Sequence, residues 1–289
     1  MESVIIPDEI ALRNKVSSCK KSGSGSLRVV SDFDKTLTKQ FFNGKEHLSS
    51  IALIRQGNYL SREFVKKSYA LFDEYYPYEV SNSIPLKDKI VKMQEWWEKH
   101  SNLLIEHGFN TQVIEDIISK NKLELRDGSA EFFRSLSEHS IPLLIFSAGL
   151  GNLIKGFLSR KNFMTSNVHL IANFFDFDDS GKAVSFREPL IHTFNKNEIQ
   201  VTHEPYRKEI SKRKNVILLG DSIGDIGMAE GIKHDTMIKV GFLNDKVDSN
   251  IKIFKENFDV VITNDGPMNY VNELLSKILR QKPNKPQSL

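Results

Sequence analysis

The stretch that most narrows the folds open to this chain is Ser26-Leu27-Arg28-Val29-Val30-Ser31-Asp32-Phe33-Asp34-Lys35-Thr36-Leu37-Thr38, an apolar run that ends abruptly in two aspartates on alternate positions. Leu27, Val29 and Val30 favour a buried strand, and an Asp-x-Asp-x-Thr sequence at its carboxyl end puts both acids where open α/β sheets bind ligands. Two carboxylates held that close repel each other unless a divalent cation sits on them or one is protonated. The stretch therefore predicts a hard metal ion, a shared proton, or both, with neither acid easily finding a cation within the fold. Taken alone, it serves as well for a turn or a helix cap.

The rest of the chain supplies a scaffold for such a strand end. Before residue 26 the pattern is a surface helix and the linker Lys21-Ser22-Gly23-Ser24-Gly25-Ser26. From about residue 47 to about residue 121 it turns helical, with helices predicted over 62–76, 86–107 and 111–120 and no convincing strand. On the longest of these, Ile90, Met93, Trp97, His100 and Leu104 form one stripe, while Trp96 and Leu103 fall on a neighbouring face, so the two adjacent tryptophans are expected to point differently. From Asp127 onward, strands predicted at 141–146, 168–171, 216–219, 236–240 and 260–262 alternate with helices near 150–161, 198–213, from 225, 247–257 and at the end. Asp178-Asp179-Ser180-Gly181 reads as a hairpin turn, and the tail 281–289 as frayed. Such alternation means an α/β protein with a parallel sheet, helices on both faces and an inserted helical unit.

Composition excludes several function classes. With 40 Lys and Arg against 37 acids, the net charge of +3 is too small and too mixed to favour a nucleic acid polymer or a membrane surface as partner, while a small anionic substrate stays compatible. Cys19 is the only cysteine, which rules out an internal disulfide and a thiolate metal cluster and fits a reducing cytoplasm. No apolar run approaches the roughly 20 residues that a membrane helix needs, and no signal peptide is expected.

Three later stretches also place polar groups just past a predicted strand or in a loop. Phe146-Ser147-Ala148-Gly149 offers a hydroxyl and backbone N–H groups in a tight turn before a helix, an anion-binding nest that suits phosphate. Phe194-Asn195-Lys196 offers a lysine. Gly220-Asp221-Ser222-Ile223-Gly224-Asp225 offers two more carboxylates, with glycines that let the backbone turn so that Asp221 faces the cavity of Asp32 and Asp34. Each piece has a plainer reading as a cap, a solvated lysine or a turn residue. Four such signals on one alternating scaffold are hard to assign to loops.

Together, Asp32-Phe33-Asp34-Lys35-Thr36, Phe146-Ser147-Ala148-Gly149, Lys196 and Gly220-Asp221-Ser222-Ile223-Gly224-Asp225 resemble the four motifs of the haloacid dehalogenase superfamily. The likeness is closer to its cytosolic pyrimidine 5′-nucleotidase branch, nucleotidase III, and within that to the type that also takes 7-methylguanosine monophosphate. It extends to Tyr75-Tyr76-Pro77-Tyr78-Glu79-Val80, Glu95-Trp96-Trp97-Glu98-Lys99, Ile191-His192-Thr193-Phe194-Asn195-Lys196 and Gly241-Phe242-Leu243-Asn244-Asp245-Lys246-Val247.

The resemblance implies a Rossmann-like catalytic core over 1–46 and 122–289 and a helical cap over 47–121 that sets specificity. It also implies a Mg2+-dependent 5′-nucleotidase of the cytoplasm, acting as a monomer on nucleoside monophosphates such as 7-methylguanosine monophosphate, CMP and UMP. Asp32 is then the nucleophile that becomes an aspartyl phosphate, and Asp34 the acid and base, a double role that needs a pKa raised by acidic neighbours and partial burial. Mg2+ is held by Asp32, the backbone carbonyl of Asp34 and Asp221, with Asp225 supporting the metal waters or orienting Lys196. Ser147, Ala148 through its N–H, and Lys196 bind the phosphoryl oxygens. In the cap, the resemblance makes Glu79 the base-reading carboxylate and sets Trp97 and His100 beside the base. Some pyrimidine-preferring relatives carry tyrosine and serine at those two positions. The rival readings are a phosphatase of another small ester such as phosphoserine, a receiver domain with a long-lived phosphoaspartate, and a non-catalytic nucleotide-binding module.

Overall fold

The computed structural model describes every residue except 1–2, 43, 47, 82, 121, 197–203 and 281–289. The expected frayed tail at 281–289 and the start of the helix predicted from residue 198 lie outside the described residues. In chain order, β1 (Val4–Ile5) and α1 (Glu9–Ser22) precede β2 (Leu27–Ser31), and a short hairpin, β3 (Phe41–Phe42) and β4 (Lys45–Glu46), leads into the helices α2 (Ser50–Gln56), α3 (Arg62–Val80), α4 (Leu86–Glu106) and α5 (Thr111–Ser119). Then follow α6 (Ser129–Glu138), β5 (Leu143–Leu150), α7 (Gly151–Arg160), β6 (Val168–Asn173), the hairpin β7 (Phe175–Phe177) and β8 (Ala183–Phe186), α8 (Glu204–Ile210) and β9 (Asn215–Gly220). The chain closes with β10 (Thr236–Leu243), α9 (Val247–Asn257), β11 (Val260–Thr263) and α10 (Asn269–Leu279).

The main sheet runs β1-β11-β10-β9-β2-β5-β6. Its strands are parallel except β1, which pairs antiparallel with β11. Every residue of β2 is buried, as two covered faces require, and this includes Arg28, whose guanidinium donates to the carbonyl of Ile232 at 3.3 Å and to that of Arg213. The core divides along the sheet into two apolar sides, one gathering Val29, Ile145 and Leu219, the other Val30, Leu144 and Leu218. Strand residues alternate between them.

Register is what brings the strand ends together. Ser31 pairs with Ile145 on one side and Leu219 on the other, so Ser147 and Asp221, each two residues further on, come to the same sheet edge as Asp32 and Asp34. The ladder continues one step past β2, the Asp32 N–H donating to the Leu219 carbonyl at 3.0 Å.

Some element bounds differ from the sequence expectation. The strand predicted at 141–146 begins instead at Leu143, because Pro142 accepts from the Val29 N–H at 2.8 Å but has no N–H to return. It runs on to Leu150 with an irregular register after Phe146. The helix expected from residue 225 is a short 3-10 segment, Ile223–Ala229, capped by Ser222 with Asp225 closing a capping box. Neither α2 nor β1 was expected, as both are too short to show a periodicity. Among the described residues no helix is long and apolar enough to cross a membrane.

Candidate active site

Every residue that the sequence singled out as catalytic, substrate-binding or metal-holding lines one cavity of about 360 Å3. Its floor is the carboxyl edge of the sheet and its roof is α2, α3 and α4.

At the floor, one carboxylate oxygen from each of Asp32, Asp221 and Asp225 lies within 4.8 Å of the others. Lys196 Nζ is 2.6 Å from Asp32 Oδ1 and 3.5 Å from Asp225 Oδ1. Here the sequence expectation fails in an instructive way, since Asp32 does find a cation within the fold, supplied from a loop 164 residues downstream. One ammonium does not balance three carboxylates. Burial pushes the Asp32 carboxyl up to about 7 against the pull of Lys196, with Asp225 adding to the rise. Burial, Asp225 and Asp32 push Asp221 well above the usual carboxylate range. Lys196 is itself disfavoured by burial, but Asp32 and Asp225 hold it above its ordinary value and keep it charged. A buried acidic trio with this excess of negative charge fits a hard divalent cation that takes oxygen ligands.

Asp34 faces elsewhere. Its Oδ1 accepts from the Ser50 N–H at 3.2 Å and its Oδ2 from the Ser50 hydroxyl at 3.3 Å, and its carboxylate stands outside the acidic trio. Burial raises its pKa, while the Ser50 N–H and then Lys196 oppose the rise. Acidic neighbours, expected from the sequence to contribute, are not among its main influences. The Ser50 hydroxyl also accepts from the Leu150 N–H at 3.1 Å, so the first turn of α2 joins Asp34 to the nest at the irregular end of β5. In that nest the Gly149 N–H donates to Ser147 Oγ at 2.9 Å. A Cβ on Gly149 would come within 2.2 Å of Ser50 Oγ, and one on Gly220 within 2.5 Å of the Asp225 side chain. Glycine at 220 thus serves close approach of Asp225 rather than a sharp turn.

A buried guanidinium that the sequence did not flag sits beneath this floor. Arg126 donates from Nε to the Thr36 carbonyl at 2.7 Å, pairs with Asp265 at 3.0 Å and lies 4.2 Å from the centre of the Phe242 ring. Together with Asn244 Nδ2, at 2.8 Å, it holds the carbonyl of Lys35, a non-glycine residue at φ 64°. These bonds fix the turn that aims Asp34. No local pattern announces an arginine whose partners are remote.

The roof is aromatic. Trp96 and Trp97 both line the cavity, their rings 6.3 Å apart and tilted by 29°, which corrects the expectation that they would face different ways. Large rings on a helix bordering an open cavity reach it from adjacent positions. Phe72 and Tyr76, one turn apart on α3, stack at 4.7 Å and complete the wall with Trp96 at 6.0 Å from Phe72. Repetition of aromatics at a spacing of four was the available signal for them. His100 is buried, with Nε2 3.2 Å from Ser68 Oγ and Nδ1 lacking a hydrogen-bond partner among the described residues. Burial, and secondarily Arg55, push its imidazole down to about 4, so it is neutral at pH 7. Glu79, at the end of α3, accepts from the Thr193 hydroxyl at 2.5 Å.

Comparison with known proteins places this geometry. The family description "Pyrimidine 5'-nucleotidase (UMPH-1)" matches residues 35–279. The chain is 36% identical over 275 residues to the 7-methylguanosine phosphate-specific 5′-nucleotidase A of Xenopus laevis, covering 95% of each chain. It is 37% identical over 267 residues to the 7-methylguanosine phosphate-specific 5′-nucleotidase of Homo sapiens, covering 92% of this chain and 89% of that one. The crystal structure of cytosolic 5′-nucleotidase IIIB bound to cytidine superposes with a TM-score of 0.87 at 34% identity, over 95% of this chain and 93% of that chain.

Proposed function

Because the chain belongs to the pyrimidine 5′-nucleotidase (UMPH-1) family of the haloacid dehalogenase superfamily, and is a hydrolase of that kind, we propose that it cleaves nucleoside 5′-monophosphates, 7-methylguanosine monophosphate and CMP foremost and UMP after them. The observation that carries this reading is the single cavity in which the acidic trio and Lys196 face an aromatic roof bearing a carboxylate.

Asp32 attacks phosphorus, its carboxylate oxygen forming the new P–O bond while the bond to the 5′-oxygen breaks. Lys196 opposes protonation of Asp32 and aims its carboxylate, and Ser147 with the Ala148 N–H receives the phosphoryl oxygens. Asp34, whose pKa burial raises, gives its proton to the departing 5′-oxygen. The same carboxylate then takes a proton from the water that attacks the aspartyl phosphate, returning the site to its starting state. The residues that would hold a divalent cation, Mg2+ in this reading, are Asp32, Asp221 and the backbone carbonyl of Asp34, with Asp225 beside them. When bound, it offsets the repulsion between these carboxylates and the phosphate dianion.

Selectivity belongs to residues 47–121, which act as the cap. Glu79 accepts from the amino group of cytosine or from the two N–H donors of a guanine edge, whereas uracil offers it one donor. The positive 7-methylguanine ring gains on the order of 1 to 2 kcal/mol against a tryptophan face once desolvated. A neutral His100 adds no opposing charge. We place the protein in the cytosol, as the name of the nucleotidase IIIB relative has it.

Released phosphate measured across nucleoside monophosphates and phosphoserine, with and without Mg2+, tests the reading. CMP and 7-methylguanosine monophosphate are expected to exceed phosphoserine by about 100-fold in kcat/KM, and chelation to abolish turnover. Preference for phosphoserine would sink it.

A further inference from the structure

The segment 187–196 that follows β8 does two jobs at once. At one end it delivers Lys196 to Asp32, at 2.6 Å, and three residues earlier it delivers the Thr193 hydroxyl to Glu79 Oε1, at 2.5 Å. Between these ends the loop is braced from within. The Asn195 side chain accepts from the His192 N–H at 2.7 Å and donates to the Leu190 carbonyl at 2.8 Å, while His192 Nδ1 accepts from the Phe194 N–H at 3.2 Å. An accepting Nδ1 requires the neutral imidazole, and burial pushes His192 down to about 4, which keeps it neutral.

The loop is also fastened to the phosphate nest. Asn173 accepts from the Ile191 N–H at 2.7 Å and donates to the carbonyls of Ile191 at 2.9 Å and Ala148 at 2.8 Å. A second contact ties it to the roof, as Lys89 Nζ donates to the Glu79 carbonyl at 3.2 Å and lies 5.1 Å from the centre of the Phe194 ring. A floppy loop could not set a distance, but one braced this densely can.

We infer that the segment 190–196 is a rigid strut between the two ends of the cavity, and that Thr193 is the positioning residue for Glu79. Its hydroxyl engages one carboxylate oxygen and so orients the other, Oε2, for the base edge. The inference rests on the reading of Glu79 as the base-binding carboxylate. Thr193 makes no part of the phosphoryl site itself, so its effect is confined to substrates that carry a base. Without the hydroxyl, Glu79 samples several rotamers and the base contact loses its preorganisation.

The test is steady-state kinetics on CMP and on p-nitrophenyl phosphate, which undergoes the same P–O cleavage without a base, in Thr193→Val, Thr193→Ser, Glu79→Gln and the Thr193→Val/Glu79→Gln pair. Thr193→Val is expected to lower the ratio of kcat/KM for CMP to that for p-nitrophenyl phosphate about tenfold, mostly through the KM for CMP, the scale of one hydrogen bond to a charged group. Thr193→Ser, which keeps the hydroxyl, returns the ratio to within about twofold of the parent. The paired variant has a ratio no lower than Glu79→Gln alone, because the two residues act through one contact. Equal losses on both substrates, a ratio that Thr193→Val does not move, or additive losses in the pair would each overturn the inference. If Glu79→Gln lowers the ratio and Thr193→Val does not, the strut alone falls. If Glu79→Gln leaves the ratio in place, the base-reading role of Glu79 falls and the strut with it.

Discussion

The two ends of the cavity are built on opposite principles. The proposed phosphate end stands on the sheet edge, where Asp32 and Asp221 follow β2 and β9 and Ser147 lies near the end of β5, three strands in parallel register. The base end stands on α3 and α4, where Phe72, Tyr76, Trp96 and Trp97 hold one another by ring contacts. At the first end charges are buried and crowded, and at the second the buried imidazole of His100 is neutral. The difference teaches where each property resides. Reaction chemistry depends on backbone geometry that side-chain exchange scarcely touches, whereas selectivity depends on side chains that can be exchanged without disturbing the reaction.

The strongest way to break that division is Asp32→Asn. It removes the proposed nucleophile while leaving the strand ladder in place, so phosphate release should fall by about 10,000-fold or more for every substrate alike, with the melting temperature retained. An assay showing residual turnover that differs between nucleotides and aryl phosphates would mean that the base end takes part in chemistry. Glu79→Ala is the counterpart at the other end. Its expected effect is a loss of about 10- to 100-fold in the preference for CMP over p-nitrophenyl phosphate, with turnover of the aryl ester largely kept. Matching losses on both esters would erase the distinction drawn here.

A smaller effect sharpens the same comparison through pH. At the base end His100 has a folded pKa of about 4, below its unfolded value, so the unfolded chain binds the extra proton and stability is lost as pH falls from about 6.5 towards 4. At the phosphate end the sign reverses. Asp32 and Asp221 have raised folded pKa values, so without metal their contribution is present at low pH and lost as pH rises, for Asp32 through about 7. In EDTA, His100→Gln should therefore flatten the acid limb of a plot of melting temperature against pH, and Asp221→Asn should raise the value at pH 8. The His100 shift amounts to about 3 kcal/mol once both states have titrated at the acid end. Limbs unchanged in both variants would show that other groups control them.

Much of this was legible because short-range signals coincide with the functional groups. The apolar run into Asp32, the Ser147-Ala148-Gly149 stretch where β5 turns irregular and the acidic turn after β9 each announce a strand end in a few consecutive residues. Ser50, Arg126 and Thr193 carry no such announcement. Ser50 begins a helix of seven residues, too brief for an apolar stripe, and its bond to Asp34 appears only when α2 lies over the sheet edge. Arg126 meets Asp265 across 139 positions, and Thr193 meets Glu79 across 114. The convergence of Trp96 with Trp97 escaped for a related reason, since helical angle alone ignores how far an indole reaches into an open space.

The order of residues by itself determined which reactive groups the protein owns and that they stand at the ends of strands, because strand propensity and turn chemistry act between neighbours. Only the tertiary structure decided how near Asp32, Asp221 and Asp225 come, that Lys196 reaches Asp32, that Asp34 turns to Ser50 and that Thr193 holds Glu79. Proximity, burial and protonation state are set by contacts between distant segments, and these exist only once the sheet register and the seating of α2 to α4 over it are in place.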